Sequence, residues 1–392
     1  MLAQYLTERG YEVHFLGNAY NGMTIKNAEL FDGTKINFKV YGEMIHSYFM
    51  NTLSEHLKKT KTDILFILLD TFMLYPRLLE IDLSPAKSVF WFPSDGGNGL
   101  PNNCEQILKK VDCPVAMAKF GQKQVKDYHN LNVRHIPHGL NINLFRKLSE
   151  EERNRLRAKW GLTDKFVVGV VARNQPRKML DRTFKSFALM KDKIPNAVLF
   201  LHLDPNDPAG QTFNMGKMIQ RYNLENRVFF SGMRCHEGFG QAEMNDVYNL
   251  MDIFFLSTSG EGFGIPIIEA MKCGVPVLAT QYTTTPELVE ENQAGLGIKL
   301  AGCEEVNYKD FFIMNSKEYD LKIINGTLMG SWEVERGLCE ITDAANKIVF
   351  LANNPEIRKV MGENGIKAVT EKYDFQKVAQ QFENLFNELC ST

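Results

Sequence analysis

With 392 residues, 44% of them hydrophobic and 23% charged, the chain has ordinary globular composition and room for two domains with separate cores. Lysine and arginine (45) nearly balance aspartate and glutamate (47), which excludes the strong basic field of a nucleic-acid binder; a charged ligand must be met by local groups. Seven scattered cysteines form neither a CxxC pair nor a Cys/His spacing suited to zinc, the pattern of a reducing, cytoplasmic compartment.

In chain order, "LAQYLTERGYEVHFLG" predicts a helix ended by Gly10 and then a strand near 11–16. In a doubly wound domain the strand before that helix occupies the sheet centre, with its loop on the ligand. That first strand is missing here, and a start called too late is the expected reason, ahead of a sheet that has lost its middle. The opening residues lack the basic head and apolar stretch of a signal peptide. Further strands are expected near 63–69, 87–92, 113–117 and 133–137. His135 and His138, in and after the last of these, read as structural. Lys109, Lys110, Lys119, Lys123 and Lys126 make a basic stretch whose ordinary use is a solvated face, and whose alternative use is peripheral contact with an anionic inner membrane surface. The longest apolar runs, "ILFILLD" and "FVVGVVA", fall far short of the roughly 20 residues that a membrane span needs.

"IPHGLNINLFRKLSEEERNRLRAKWGL" reads as a turn and a charged helix, and places the domain boundary so that 1–150 and 151–371 are separate. Strands follow near 166–172, 197–203, 227–231, 252–256, 276–280 and 296–299. Strands alternating with amphipathic stretches predict an α/β fold with parallel sheets. Residues 301–339 have weak periodicity and read as an insertion with short elements. The end is helical, with Phe375, Val378, Phe382 and Phe386 on one face to be buried.

"SGEGFGIPIIEAMKCGVPV" (259–277) carries the chemistry. Pro266 suits the first position of a helix, and Gly274 ends it. A glycine-rich turn at a helix N-terminus attracts anions through its amides, yet the spacing is neither GxGxxG nor GxxxxGK[ST]. Glu261 lies in the turn, and Glu269, near the end of the first helical turn, points back toward it, so two acceptors face one pocket. Carboxylates suit sugar and ribose hydroxyls, which donate hydrogen bonds, better than phosphates, which accept them. A diphosphate would need cations, and "FVVGVVARNQPRKMLDRTF" supplies Arg173, Arg177 and Lys178 at a strand's carboxyl end; Arg173 and Lys178 are the expected phosphate ligands.

These residues resemble the retaining GT-B glycosyltransferases of family 4 over nearly the whole chain. The likeness runs through "LTERGYEVHFLG", "IPHGLNINLF", Arg173 with Lys178, "RVFFSGM", "VYNLMDIFFLSTSGEGFGIPIIEAMKCGVPVLAT" and "YDFQKVAQQF". It implies two Rossmann-like domains facing a cleft, with an acceptor-side domain at 1–150. The donor would be held mainly by 151–371, and a last helix, about 372–392, would pack back on the first domain. By the same resemblance Glu261 contacts the transferred sugar and Glu269 the ribose diol. Amides around Gly262, Phe263, Gly264 and Ile265 face sugar and phosphates, and Gly232, Met233 and Arg234 lie near the base. No metal or other cofactor is expected. Anomeric configuration is retained by front-face attack in which the departing phosphate takes the acceptor proton. The implied partners are a nucleotide sugar and a glycan, lipid or other hydroxyl acceptor.

Three departures stand out. Ser94 replaces the family's histidine before Asp95, and Asp95 has two readings, a ligand for an acceptor or sugar hydroxyl or a turn former in the SDGG run. Met179 stands where glycine commonly follows the phosphate lysine. The missing first strand takes with it the glycine-rich loop over the diphosphate. Two alternatives therefore accompany glycosyl transfer: a catalytically impaired nucleotide-sugar binder, and a sugar-nucleotide epimerase on the same fold.

Overall fold

The unbroken apolar runs of the second half become strands of a parallel sheet, whose two covered faces leave no polar side to alternate. The computed structural model describes residues 1–18, 24–25, 35–43, 50, 52–101, 103–207, 213–234, 238–307 and 333–391. They divide into two units: Met1–Pro93 with Leu100–Gly139 and Phe375–Thr392, and Ser94–Gly99 with Leu140–Asp374.

In the first unit, β1 (His14–Asn18), β2 (Thr24–Ile25) and β3 (Lys39–Glu43) form a sheet of order β1-β3-β2, with β1 parallel and β2 antiparallel to β3. A second sheet runs β4 (Ile64–Leu68), β5 (Lys87–Phe92), β6 (Cys113–Ala116), β7 (Arg134–His135), all parallel. β2 and β3 lie in a stretch where no strand was expected, and β1 begins three residues later than expected. No strand joins the two sheets among the described residues. Phe90, Phe92, Leu74, Ile107 and Val125 lie in this unit's core.

The helix Phe375–Ser391 belongs to the first unit because its apolar stripe is buried there. Phe66 meets Phe382 and Phe386 edge-on at 5.1 and 5.9 Å, and Tyr5 Oη donates to Glu383. Phe375 is partly buried, its ring edge-on to Tyr5. The His138 ring packs on Trp91 at 4.1 Å, and Trp91 Nε1 donates to the Ile136 carbonyl. The five lysines of the basic stretch are exposed.

In the second unit, β8 (Phe166–Val171), β9 (Ala197–His202), β10 (Val228–Phe230), β11 (Ile253–Leu256), β12 (Val277–Thr280) and β13 (Gly295–Ile298) are all parallel, in the order β10-β9-β8-β11-β12-β13. Every residue of β8, β9, β11 and β12 is buried. Each expected strand of this half is found within one residue of its expected ends. The chain reverses direction across the sheet between β8 and β11, the switch point at which doubly wound folds hold ligands.

The charged helix expected in the linker spans Glu150–Lys159 and opens with a Ser149/Glu152 capping box. Arg153 and Arg157 reach Asp252, at the foot of β11, at 2.8 and 3.1 Å, while Asn245 and Asn249 accept from the amides of Arg146 and Leu148. These contacts fasten the linker to the second unit, so the division falls at Gly139/Leu140 instead of 150/151. Ser94–Gly99 joins that unit as well. The expected insertion resolves into an antiparallel pair, β14 (Leu300–Asn307) and β15 (Glu333–Cys339); its middle, 308–332, lies outside the described residues. Among the described residues no helix is long and apolar enough to cross a membrane.

Candidate functional site

Two loops leave the carboxyl ends of β8 and β11 side by side and are knit together by their backbones. The Ser259 amide donates to the Arg177 carbonyl at 2.8 Å, and Ser257 Oγ donates to the Lys178 carbonyl at 3.0 Å. A short 3-10 turn, Pro176–Lys178, turns the Lys178 side chain inward, where it is buried. The next residue, Met179, has φ 46° and ψ 46°. That left-handed conformation suits glycine, the residue the resemblance leads one to expect there.

Lys178 Nζ donates to Glu261 Oε1 at 2.6 Å, and Arg177 Nη1 meets Glu261 Oε2 at 2.9 Å. Each carboxylate oxygen of the buried Glu261 therefore has its own cation, and its amide donates to Thr283 Oγ1. Burial pushes the Glu261 carboxyl up, but the Arg177 and Lys178 charges outweigh it and hold it at about 2. Burial pulls the Lys178 ammonium down, against the attraction of Glu261. The two directions conflict over one contact. The carboxylate decides it, because two cations face Glu261 while Lys178 also meets the like charge of Arg177. The Glu261 carboxylate is ionised at neutral pH.

Asp95 joins this cluster. Its Oδ2 faces Arg177 Nε at 3.3 Å, and Arg336, from β15, donates to its carbonyl and, at 3.2 Å, to its Oδ1. Gly260 makes the approach possible, since a Cβ there would stand 2.0 Å from the Asp95 carbonyl oxygen. Asp95 is thus a partner in a charge cluster, a role that neither expected reading included.

Arg173 does not join Glu261 in the contacts seen; it makes a bidentate pair with the fully buried Asp207, beyond β9, at 2.7 Å on both arms. Glu269 is the fifth residue of the helix Ile265–Lys272, one residue later than expected, because Pro266 takes the second helical position and not the first. Glu261 and Glu269 have separate anchors, for Glu269 accepts from Tyr248 Oη at 2.6 Å. Burial raises the Glu269 carboxyl to about 6, against the pull of that hydrogen bond. Gly264 caps the helix with φ 99°, and Gly262, Phe263 and Ile265 flank it at the end where helical amides lack intrahelical partners. Gly232, with φ 77°, leads Met233 and Arg234 away from the carboxyl end of β10.

The expected donor-side residues thus sit at the carboxyl ends of β8, β10 and β11 or on the helix after β11. Arg177, set aside in the sequence in favour of Arg173, is the arginine on Glu261; both were legible as basic residues in one loop, and only packing separates them. Arg336 and Tyr248 carried no sequence signal. Among the described residues, no three His, Cys, Asp or Glu side chains gather as a metal-binding group.

Residues 152–305 match the family described as Glycosyl transferases group 1. Mannosylfructose-phosphate synthase of Agrobacterium fabrum (strain C58 / ATCC 33970) is 29% identical over 184 residues, 45% of this chain and 38% of that relative. The match therefore spans well under two thirds of the relative's length. Sucrose-phosphate synthase from Thermosynechococcus elongatus superimposes with a TM-score of 0.69 at 17% identity, over 100% of this chain and 92% of that one. The Anabaena protein Alr3699/HepE, in complex with UDP-glucose, does so with 0.66 at 17% identity, over 90% and 86%. These likenesses establish the fold as GT-B, with two Rossmann-like units.

Proposed function

We propose that this GT-B chain, with its group 1 glycosyltransferase segment at 152–305, moves a hexose from a nucleotide diphosphate sugar to an acceptor hydroxyl, with retention of anomeric configuration and without a metal ion. The observation that carries the reading is a buried, ionised Glu261 clamped by Lys178 and Arg177 at the switch point of a doubly wound sheet. A carboxylate oxygen has two acceptor positions, so Glu261, beyond its two cations and the Thr258 hydroxyl, keeps one for a sugar hydroxyl. Lys178 and Arg177, with Arg173 at the start of the same loop, stabilise charge growing on the leaving diphosphate. Glu269 takes the ribose diol, and the amides of Gly262 to Ile265 take sugar and phosphate oxygens. Gly232 to Arg234 lie by the base. In the transfer, the acceptor oxygen bonds to the anomeric carbon as the bond to phosphate breaks, and the acceptor proton passes to the departing phosphate oxygen.

Incubation with UDP-, GDP- and ADP-sugars in the presence of a chelator, with and without glycan and lipid hydroxyl acceptors, tests the reading. Acceptor-dependent release of nucleoside diphosphate and an NMR-assigned product of unchanged anomeric configuration are expected. An isomerised sugar nucleotide without acceptor would establish epimerisation instead, and calorimetric binding with no product across the panel would establish an impaired binder. Donor affinity unchanged in both Glu269→Ala and Lys178→Ala would remove the site assignment.

A further inference from the structure

Among the described residues of the inserted hairpin, Arg336 is the side chain that reaches the charge cluster at Asp95. Arg336 on β15 is only 7% exposed, and a guanidinium so buried is stable only when its donors are met. Two of its contacts are to Asp95, at the backbone carbonyl and at Oδ1. The second carboxylate oxygen of Asp95 faces Arg177 Nε, and the same guanidinium pairs with Glu261. Asp95 is thus held between two arginines, one of which belongs to the proposed donor site.

The surrounding backbone is shaped for this contact. The Gly97 amide donates to the Glu335 carbonyl at 3.0 Å, an isolated antiparallel bridge between the 94–99 segment and β15. Tyr282 Oη accepts from the Gly97 amide and donates to Glu335 Oε1 at 2.9 Å. A Cβ on Gly96 would stand 2.0 Å from Val334 Cγ1, and one on Gly97 2.6 Å from Glu335 Oε1, so the paired glycines of the SDGG run serve close approach to the hairpin. The Gly337 amide donates to the Ser259 carbonyl, tying the hairpin to the loop before Glu261. Backbone pairing and Tyr282 already hold the main chain of this segment; what Arg336 adds is a contact to the carboxylate itself.

From this geometry we infer that Arg336 is a positioning residue for the proposed reaction: it fixes the Asp95 carboxylate on Arg177, and through it sets the Arg177 guanidinium against Glu261. The inference rests on the donor site proposed above. It makes the insertion a working part of that site, with Arg336 acting through Asp95 and touching no substrate.

Transfer kinetics and amide hydrogen exchange of Arg336→Ala, Arg336→Lys, Asp95→Ala and the Arg336→Ala/Asp95→Ala pair test it. Arg336→Ala is expected to lower kcat by about 10-fold or more with donor KM within about 3-fold, since a misplaced group is felt chiefly in the transition state. Arg336→Lys, which keeps the charge, recovers part of the loss, and the double variant is no slower than Asp95→Ala alone. Exchange over 93–100 rises in Arg336→Ala. A kcat within about 2-fold of wild type, losses that multiply in the double variant, or unchanged exchange over 93–100 would each overturn the inference. A wild-type protein that transfers no sugar would overturn the proposed function instead, and the exchange over 93–100 would then decide by itself whether Arg336 holds Asp95.

Discussion

Replacing Lys178 by methionine keeps the length of the side chain and removes its charge from the carboxylate it clamps. Losing one partner of a buried ion pair costs about 3–5 kcal/mol, because the other charge stays buried and uncompensated. Here Arg177 remains on Glu261 Oε2 at 2.9 Å, so a loss of about 2–3 kcal/mol is expected. For a unit of this size that lowers the midpoint of thermal unfolding by roughly 5–10 °C. The pH dependence follows from the same contact. Glu261 titrates at about 2 in the folded protein against an ordinary 4.5, so its ionised form adds stability that is fully present above pH 4.5 and is lost as pH falls toward 2. The depression corresponds to about 3 kcal/mol. Without the lysine the carboxyl moves back toward its ordinary value, so the gap between variant and wild type is full at neutral pH and closes on acidification. Differential scanning calorimetry from pH 7.5 to 3, with donor binding measured in parallel, reads both effects. A gap that does not change with pH, or a variant as stable as wild type at pH 7.5, would refute the assignment of a charged clamp.

Glu269→Gln should raise stability at pH 7.5 by up to about 2 kcal/mol while weakening donor binding, because a half-buried carboxyl raised to about 6 loses stability as pH climbs from 4.5 to 6. Urea titrations at pH 4.5 and 7.5 should show the gain only at the higher pH. Met179→Gly relieves a left-handed φ of 46° and should change stability by no more than about 1 kcal/mol, in the stabilising direction, as seen in denaturant midpoints. Gly260→Ala places a methyl 2.0 Å from the Asp95 carbonyl oxygen, a backbone atom that must move. A loss of about 1–3 kcal/mol together with reduced transfer is expected, checked by calorimetry and kinetics on the same preparation.

The second unit was the more legible half because fully buried parallel strands write themselves as short apolar runs. "FVVGVV" and "AVLFLH" have no other economical reading when bounded by turns and helices. In the first unit β2 and β3 lack such runs, and the strand expected at 11–16 overlaps β1 only in part. The linker helix was recognised, but its allegiance to the second unit depends on Asp252, about a hundred positions away, which no local pattern announces. Glu261 and Lys178 were legible from the residue types in two loops. The choice between Arg173 and Arg177 was not, since both belong to one basic loop and Asp207 decides where the first of them points.

The sequence by itself determined the alternation of strands and helices, the apolar cores, and the glycine-rich turn whose carboxylates ask for hydroxyl donors. Those are local properties, set by side-chain periodicity and by backbone conformations that few residues adopt. Only the tertiary structure decided that Glu261 is shared by Lys178 and Arg177, that Glu269 leans on Tyr248, and that an inserted strand delivers Arg336 to Asp95. Charge pairs of this kind join residues tens to hundreds of positions apart. Their partners are chosen by the order in which β8, β11 and the hairpin come together in space, and that order is a property of the folded sheet.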